Sequence, residues 1–133
     1  MFLKKSIIKN SFYNIKMSCL FDSISYFLRI DSYKTRQRIC DYLESNKEII
    51  EGVDTKLILD MEDPDYLRKM RSTTTWGGAL EIKAACNVWN IKITVYIDRA
   101  HNKKIVFVPS NEQYMGAIEI EWQGNHYVPV VRN

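Results

Sequence analysis

The apolar residues of this chain change their period once, and that change constrains the fold more than any single motif. Through Trp89 they recur at helical intervals; from Ile91 onward they gather into short runs rich in β-branched and aromatic residues. Such a chain places helices first and a small sheet after them, an α+β arrangement in which helices cover one sheet. With 133 residues and 46% apolar content there is material for one core, so a single domain over 1–133 is predicted, with a basic lead over 1–16.

The first helix is predicted over Cys19–Leu28, where Leu20, Phe21, Ile24, Phe27 and Leu28 share a face. Ser32 or Thr35 caps a second helix that runs through Ile39 and Leu43 to about Ile50, with Gly52 as its stop. The pattern weakens from Gly52 to Ser72, where only a short helix from about Asp65 through Arg71 is predicted, after Pro64. Residues 72–78 read as a loop and Ala79–Trp89 as a helix. Strands are predicted over Ile91–Ile97, Lys104–Val108, Ala117–Trp122 and His126–Val131.

Charge excludes several classes of function. Four lysines and no acid lie between Met1 and Phe21, which leaves 15 of the 19 Lys and Arg residues against all 16 acids elsewhere. A nearly neutral body without a basic, aromatic-studded face argues against nucleic-acid binding. No stretch approaches the roughly 20 apolar residues of a membrane span. Lysines interrupt the opening MFLKKSIIKN, so it lacks the continuous apolar core of a secretory signal. A soluble, cytoplasmic monomer is expected.

Cys19, Cys40 and Cys86 form an odd, widely spaced set, which argues against a disulfide framework. With His101 and His126 as the two histidines, no pair has the short spacing of a zinc site, and neither metal nor cofactor is expected. Cys40 and Cys86 sit among apolar neighbours and read as core; His101 falls in a turn and receives no role. Cys19 differs, because a thiol in the first turn of a helix gains from the dipole and from N–H groups that have no partner within the helix. The same N–H groups can receive the oxyanion of a tetrahedral intermediate. His126 follows the turn-like Gln-Gly-Asn and opens the last strand, where a base can stand on rigid scaffold.

Four blocks, in order, carry a resemblance. Cys19-Leu-Phe-Asp-Ser-Ile-Ser resembles the nucleophile helix of ovarian-tumour (OTU) cysteine peptidases, whose pattern is Asp-Gly-Asn-Cys-Leu-Phe-x-x-Ile. Thr35-x-x-x-Ile-Cys-Asp-Tyr-Leu43, Thr75-Trp-Gly-Gly-x-x-Glu-Ile-x-Ala84 and Gly-Asn-His126-Tyr follow it. The resemblance implies a papain-like OTU fold, with a small, mostly antiparallel sheet packed between or against helices. It implies Cys19 as nucleophile and His126 as general base, with the Cys19 N–H and the loop Lys16-Met17-Ser18 as oxyanion site. It implies a deubiquitinase without cofactor, acting after the terminal glycine of ubiquitin or a ubiquitin-like protein. Trp76, Gly77, Asn125 and Tyr127 are implied as substrate-facing. The small size is similar to that of viral or mobile-element members.

The departures from the pattern bear on mechanism. Lys16 and Met17 stand where the family carries Asp and Gly, and Val128 stands two residues after the histidine, where most members carry Asp or Asn. The group that orients the imidazole is left open among Asn14, Asn125, Glu121 and Asp22. An inactive, ubiquitin-binding relative and a viral polyprotein protease with deubiquitinase activity are the alternative readings. The acids Asp60, Glu62, Asp63 and Asp65 could steer a basic ubiquitin tail or simply form a solvated loop.

Overall fold

The computed structural model describes residues 17–45 and 48–132. Five helices precede and flank a four-stranded sheet: α1 (Cys19–Leu28), α2 (Ser32–Glu44), α3 (Thr55–Glu62), α4 (Tyr66–Met70), α5 (Ala79–Trp89), β1 (Ile91–Asp98), β2 (Lys103–Phe107), β3 (Gly116–Trp122) and β4 (Tyr127–Pro129). The basic lead lies outside the described residues.

Helix α1 forms where expected because its apolar stripe has a core to enter: Leu20, Phe21 and Ile24 are fully buried, and Phe27 and Leu28 pack at the margin. It ends at Arg29 in left-handed conformation, with the Arg29 N–H donating to Ser25 O. Helix α2 is capped by neither Ser32 nor Thr35. Asp31 takes the position, its Oδ1 accepting from the Lys34 N–H at 3.0 Å, because an ionised oxygen satisfies a first-turn donor better than a hydroxyl. The Thr35 hydroxyl instead donates to Asp31 O.

Helix α2 also stops earlier than its pattern suggests, at Glu44. Ile49 enters the core while Ile50 is half-exposed, so the helical spacing that reached Ile50 was coincidental. The weak segment after Gly52 contains a full helix, α3, which sequence periodicity missed. Only Thr55 and Leu59 of α3 are buried, too few to make a recognisable stripe, and the Asp54 carboxylate capping Lys56 N marks its start.

The sheet has the order β2-β1-β3-β4. Its outer pairings, β1 with β2 and β3 with β4, are antiparallel, and the central pairing of β1 with β3 is parallel. The register sets Ile93 beside Ile118 and Val95 beside Ile120, a continuous apolar face under the helices. Asn90 ends α5 with φ 56°, a left-handed conformation that asparagine tolerates, so helix passes directly into strand at Ile91. Pro129 lies in β4, an edge strand, where a missing N–H does little harm. Helix α1 packs against β4, and this contact brings the two ends of the described chain together.

Candidate active site

Cys19 is the first residue of α1, half-buried, and its helix receives no side-chain cap from Ser18. The N–H groups of this first turn are therefore available to a ligand oxygen or to the sulfur itself. Cys40 and Cys86 are completely buried, and desolvation pushes their thiols up to about 12 and about 11. At neutral pH both remain protonated. Among the three thiols, Cys19 alone combines a helix N-terminus with access to solvent.

The other half of the site arrives with β4. The Tyr127 N–H donates to Cys19 Sγ at 3.4 Å, a contact between residues 108 positions apart. His126 precedes Tyr127, just ahead of the strand, and is exposed. Its Nδ1 lies 2.7 Å from Asn125 Oδ1. An amide oxygen can only accept, so Nδ1 carries the proton in this arrangement and Nε2 is the basic nitrogen of the neutral ring. The Tyr127 ring packs on Trp122 with centroids 4.9 Å apart, anchoring the start of the strand that follows His126. Burial raises the pKa of the Tyr127 hydroxyl, with the Cys19 and Glu81 charges adding to the rise.

Three of the four residues left open for orienting the imidazole are described. Asn125 contacts the ring; Asp22 points to solvent in the first turn of α1; Glu121 is engaged by Gln123 and, at 3.8 Å, by Arg99. Asn14 and Lys16 lie outside the described residues. Val128 lies within β4 and offers no polar group.

Trp76 and Gly77 line a groove of about 560 Å³ together with Glu62, Asp63, Tyr66 and Met70. Gly77 presses on α1 so closely that a Cβ built there would stand 2.7 Å from Leu20 Cδ2 and 2.8 Å from Phe21 Cζ. The Trp76-Gly77-Gly78 loop thus lines the groove on one side and packs on the buried face of α1 on the other. Three of the four acids suspected of steering are locally neutralised: Asp60 pairs with Lys56 at 3.0 Å, Asp63 with Lys69 at 2.5 Å, and Asp65 with Arg68. Glu62 and Asp63 face the groove. Among the described residues, no cluster of three His, Cys, Asp or Glu side chains is arranged to hold a metal ion, and no helix is long and apolar enough to cross a membrane.

One residue at the site escaped the sequence reading. Arg36 is 1% exposed and donates to Met70 O (2.7 Å), Thr75 O (2.9 Å), Met17 O (3.1 Å) and Ser18 Oγ (3.3 Å). Its guanidinium also lies 4.1 Å from the centre of the Phe21 ring. The signal was present in the sequence: positions 36, 39, 40 and 43 form one stripe, and a cation sits at its head. Glu81, also 1% exposed, accepts from the Gly78 N–H (2.7 Å) and the Tyr66 hydroxyl (2.6 Å), and so fixes the entry of α5 beside the groove. Burial raises the Glu81 pKa against the pull of these donors.

Comparison with known proteins agrees with this geometry. The family model for OTU-like cysteine proteases matches residues 18–127. The ovarian tumor domain-containing deubiquitinating enzyme 10 of Arabidopsis thaliana is 27% identical over 99 residues, which are 74% of this chain and 26% of that protein. The chain thus spans about a quarter of that relative's length. A solved ovarian-tumour domain in complex with ubiquitin has a TM-score of 0.66 at 26% identity, covering 86% of this chain and 63% of that one. The viral OTU domain protease of Dera Ghazi Khan virus shares the fold, with a TM-score of 0.62 at 18% identity over 86% of this chain and 74% of that one. With a thiol at a helix N-terminus, the start of the last strand bonded to its sulfur through the Tyr127 N–H, and a match from Ser18 to Tyr127, the chain belongs to the OTU-like cysteine protease family.

Proposed function

We propose that this chain is a thiol deubiquitinase that cleaves after the C-terminal glycine of ubiquitin or a ubiquitin-like protein, with Cys19 as nucleophile and His126 as base. The observation that carries the reading is the hydrogen bond from Tyr127 N–H to Cys19 Sγ, which sets the histidine strand against the sulfur. Support for the substrate comes from the named deubiquitinating relative and from the similar domain solved with ubiquitin.

In this reading Nε2 of His126 takes the thiol proton as sulfur attacks the scissile carbonyl. The oxyanion settles among the N–H groups of Cys19 and Ser18, since the Met17 N–H donates to Thr73 O at 2.7 Å. As the C–N bond breaks, the imidazolium returns its proton to the departing lysine amine, leaving ubiquitin as a thioester on Cys19. Water then attacks that thioester, giving a proton to His126, and the thiol is regenerated with release of the carboxylate. Asn125 holds the ring through Nδ1 during both proton transfers, the role that most relatives give to a residue two positions after the histidine. The enzyme acts as a monomer in the cytoplasm.

A ubiquitin probe with a thiol-reactive C-terminus tests the assignment. Covalent labelling that disappears in Cys19→Ala supports it. A chain that binds ubiquitin but never acquires the label is instead a non-catalytic receptor.

A further inference from the structure

Arg36 is an expensive residue to bury. A guanidinium stays charged at all accessible pH, and desolvation already pulls its pKa down here, against the charges of Glu81 and Asp22. Its partners explain its placement. Nη1 reaches the carbonyls of Met70 and Thr75 on one segment, and Nη2 reaches the carbonyl of Met17 and the hydroxyl of Ser18 on another. One rigid fork thus joins two loops that otherwise meet through the Met17 N–H and Thr73 O, 2.7 Å apart. The anchoring helix is itself fastened to the second loop, since Gln37 donates to Arg71 O at 2.9 Å and Arg71 pairs with Asp41 at 2.9 Å.

The first of these loops immediately precedes Cys19. Ser18 makes no capping bond to α1, so its hydroxyl is free to serve Arg36. With the Met17 carbonyl drawn toward the buried cation at 3.1 Å, the Met17–Ser18 peptide plane has a fixed orientation, and the Ser18 hydroxyl adds a side-chain tie. The N–H of that plane belongs to Ser18 and points away from Arg36, as a trans peptide requires, while the Met17 N–H is taken up by Thr73 O.

We infer that Arg36 is a positioning residue for catalysis: it clamps the Met17–Ser18 loop to the 70–75 loop and thereby holds the oxyanion donors in place before substrate arrives. This rests on the reading of that loop as the oxyanion site. Arg36 touches no reacting atom and acts through the backbone it holds. Lysine cannot replace it, because a single ammonium lacks the planar fork that reaches both loops at once.

The test is Arg36→Lys, measured for folding, for cleavage of a ubiquitin C-terminal amide reporter, and for amide hydrogen exchange. The expected variant is folded, with kcat reduced roughly 10²-fold, the size of losing one oxyanion donor, while KM stays within about threefold. Exchange across Met17–Leu20 should accelerate by about tenfold or more, with exchange in α5 and β1 unchanged. A folded Arg36→Lys protein with wild-type kcat, or one whose exchange rises evenly across the chain, overturns the inference in favour of a purely structural cation. Should Arg36→Lys fail to fold, Ser18→Ala decides, since it removes one contact of the clamp and no cap. Faster exchange at Met17–Leu20 with a severalfold lower kcat supports the clamp, and unchanged values of both overturn it. A wild-type chain that never cleaves the reporter sinks the deubiquitinase reading and the catalytic role of Arg36 with it, whereas the exchange measurement still decides the clamp itself, without any substrate.

Discussion

Gly77 and Leu20 stand at a separation that leaves no room for a side chain between them: an added Cβ would lie 2.7 Å from Leu20 Cδ2. Phe21 closes the other side at 2.8 Å, and both residues belong to the buried face of α1. Gly77→Ala must therefore push α1, or lift the Trp76-Gly77-Gly78 loop away from it. Overpacking of this kind costs about 1–3 kcal/mol. Urea unfolding should show the loss, and kcat should fall beyond what the folded fraction accounts for, because the displaced helix carries Cys19. A variant with wild-type stability and turnover would show that the loop yields freely.

The three thiols divide by environment, which gives a second prediction. Native protein at pH 7.5 should take up one equivalent of iodoacetamide, at Cys19, and three after denaturation, as read by peptide mass spectrometry. Labelling of Cys40 or Cys86 at comparable rates in the native state would contradict their burial. The same groups bear on stability. Their folded pKa values, about 12 and about 11, lie above the unfolded value of 9.0, so the fold favours the protonated thiols. That contribution is complete below pH 9 and is lost as pH rises through the folded values. The urea midpoint should decline on the alkaline side of pH 9, and less steeply in the Cys40→Ala/Cys86→Ala variant.

How far the sequence disclosed this arrangement depended on how much of each element is buried. Helix α1 was legible because Leu20, Phe21 and Ile24 repeat at helical spacing and all enter the core. The strands were legible because they are short runs rich in β-branched and aromatic residues, and in β1 Ile93, Thr94, Val95 and Tyr96 are all buried. Helix α3 was not, since two buried residues make no pattern, and its Asp54 cap is a feature shared with many turns. Cys19 and His126 could be singled out by residue type and by resemblance. The meeting of Cys19 with the start of β4 depends on the parallel pairing of β1 with β3, which carries β4 back to α1, and no local signal encodes that pairing. Arg36 was hidden because a charged residue in an apolar stripe reads as a boundary of the stripe.

The acidic residues at the groove should matter less than their number suggests. Asp63 is held below the usual carboxylate range by its hydrogen bonds with Lys69 and with the Asp65 N–H, so its charge persists at neutral pH but is matched by a neighbouring cation. Asp60 and Asp65 have equivalent partners. Glu62→Gln together with Asp63→Asn should slow association with a ubiquitin substrate several-fold at low salt, with the difference vanishing as ionic strength rises. Asp60→Asn should have no effect on that rate. Equal slowing by all three changes would point to a general field in place of a groove contact.

Asn125 provides the sharpest test of the catalytic arrangement, because its contact with His126 Nδ1 predicts a specific ring state. A neutral histidine in water favours the tautomer protonated at Nε2, whereas an acceptor at Nδ1 reverses that preference. Nitrogen-15 chemical shifts of His126 should therefore report Nδ1–H in the wild-type chain and a return toward Nε2–H in Asn125→Ala. Loss of the orienting contact should reduce kcat on the order of 10²-fold, since a misdirected base costs about as much as a displaced reacting group. KM should move little, because the ring is exposed and the groove that would hold the substrate lies elsewhere. Asn125→Asp keeps an acceptor at the same place and should recover most of the rate. If Asn125→Ala leaves both the ring spectrum and kcat unchanged, another group orients His126 and the contact at 2.7 Å is incidental.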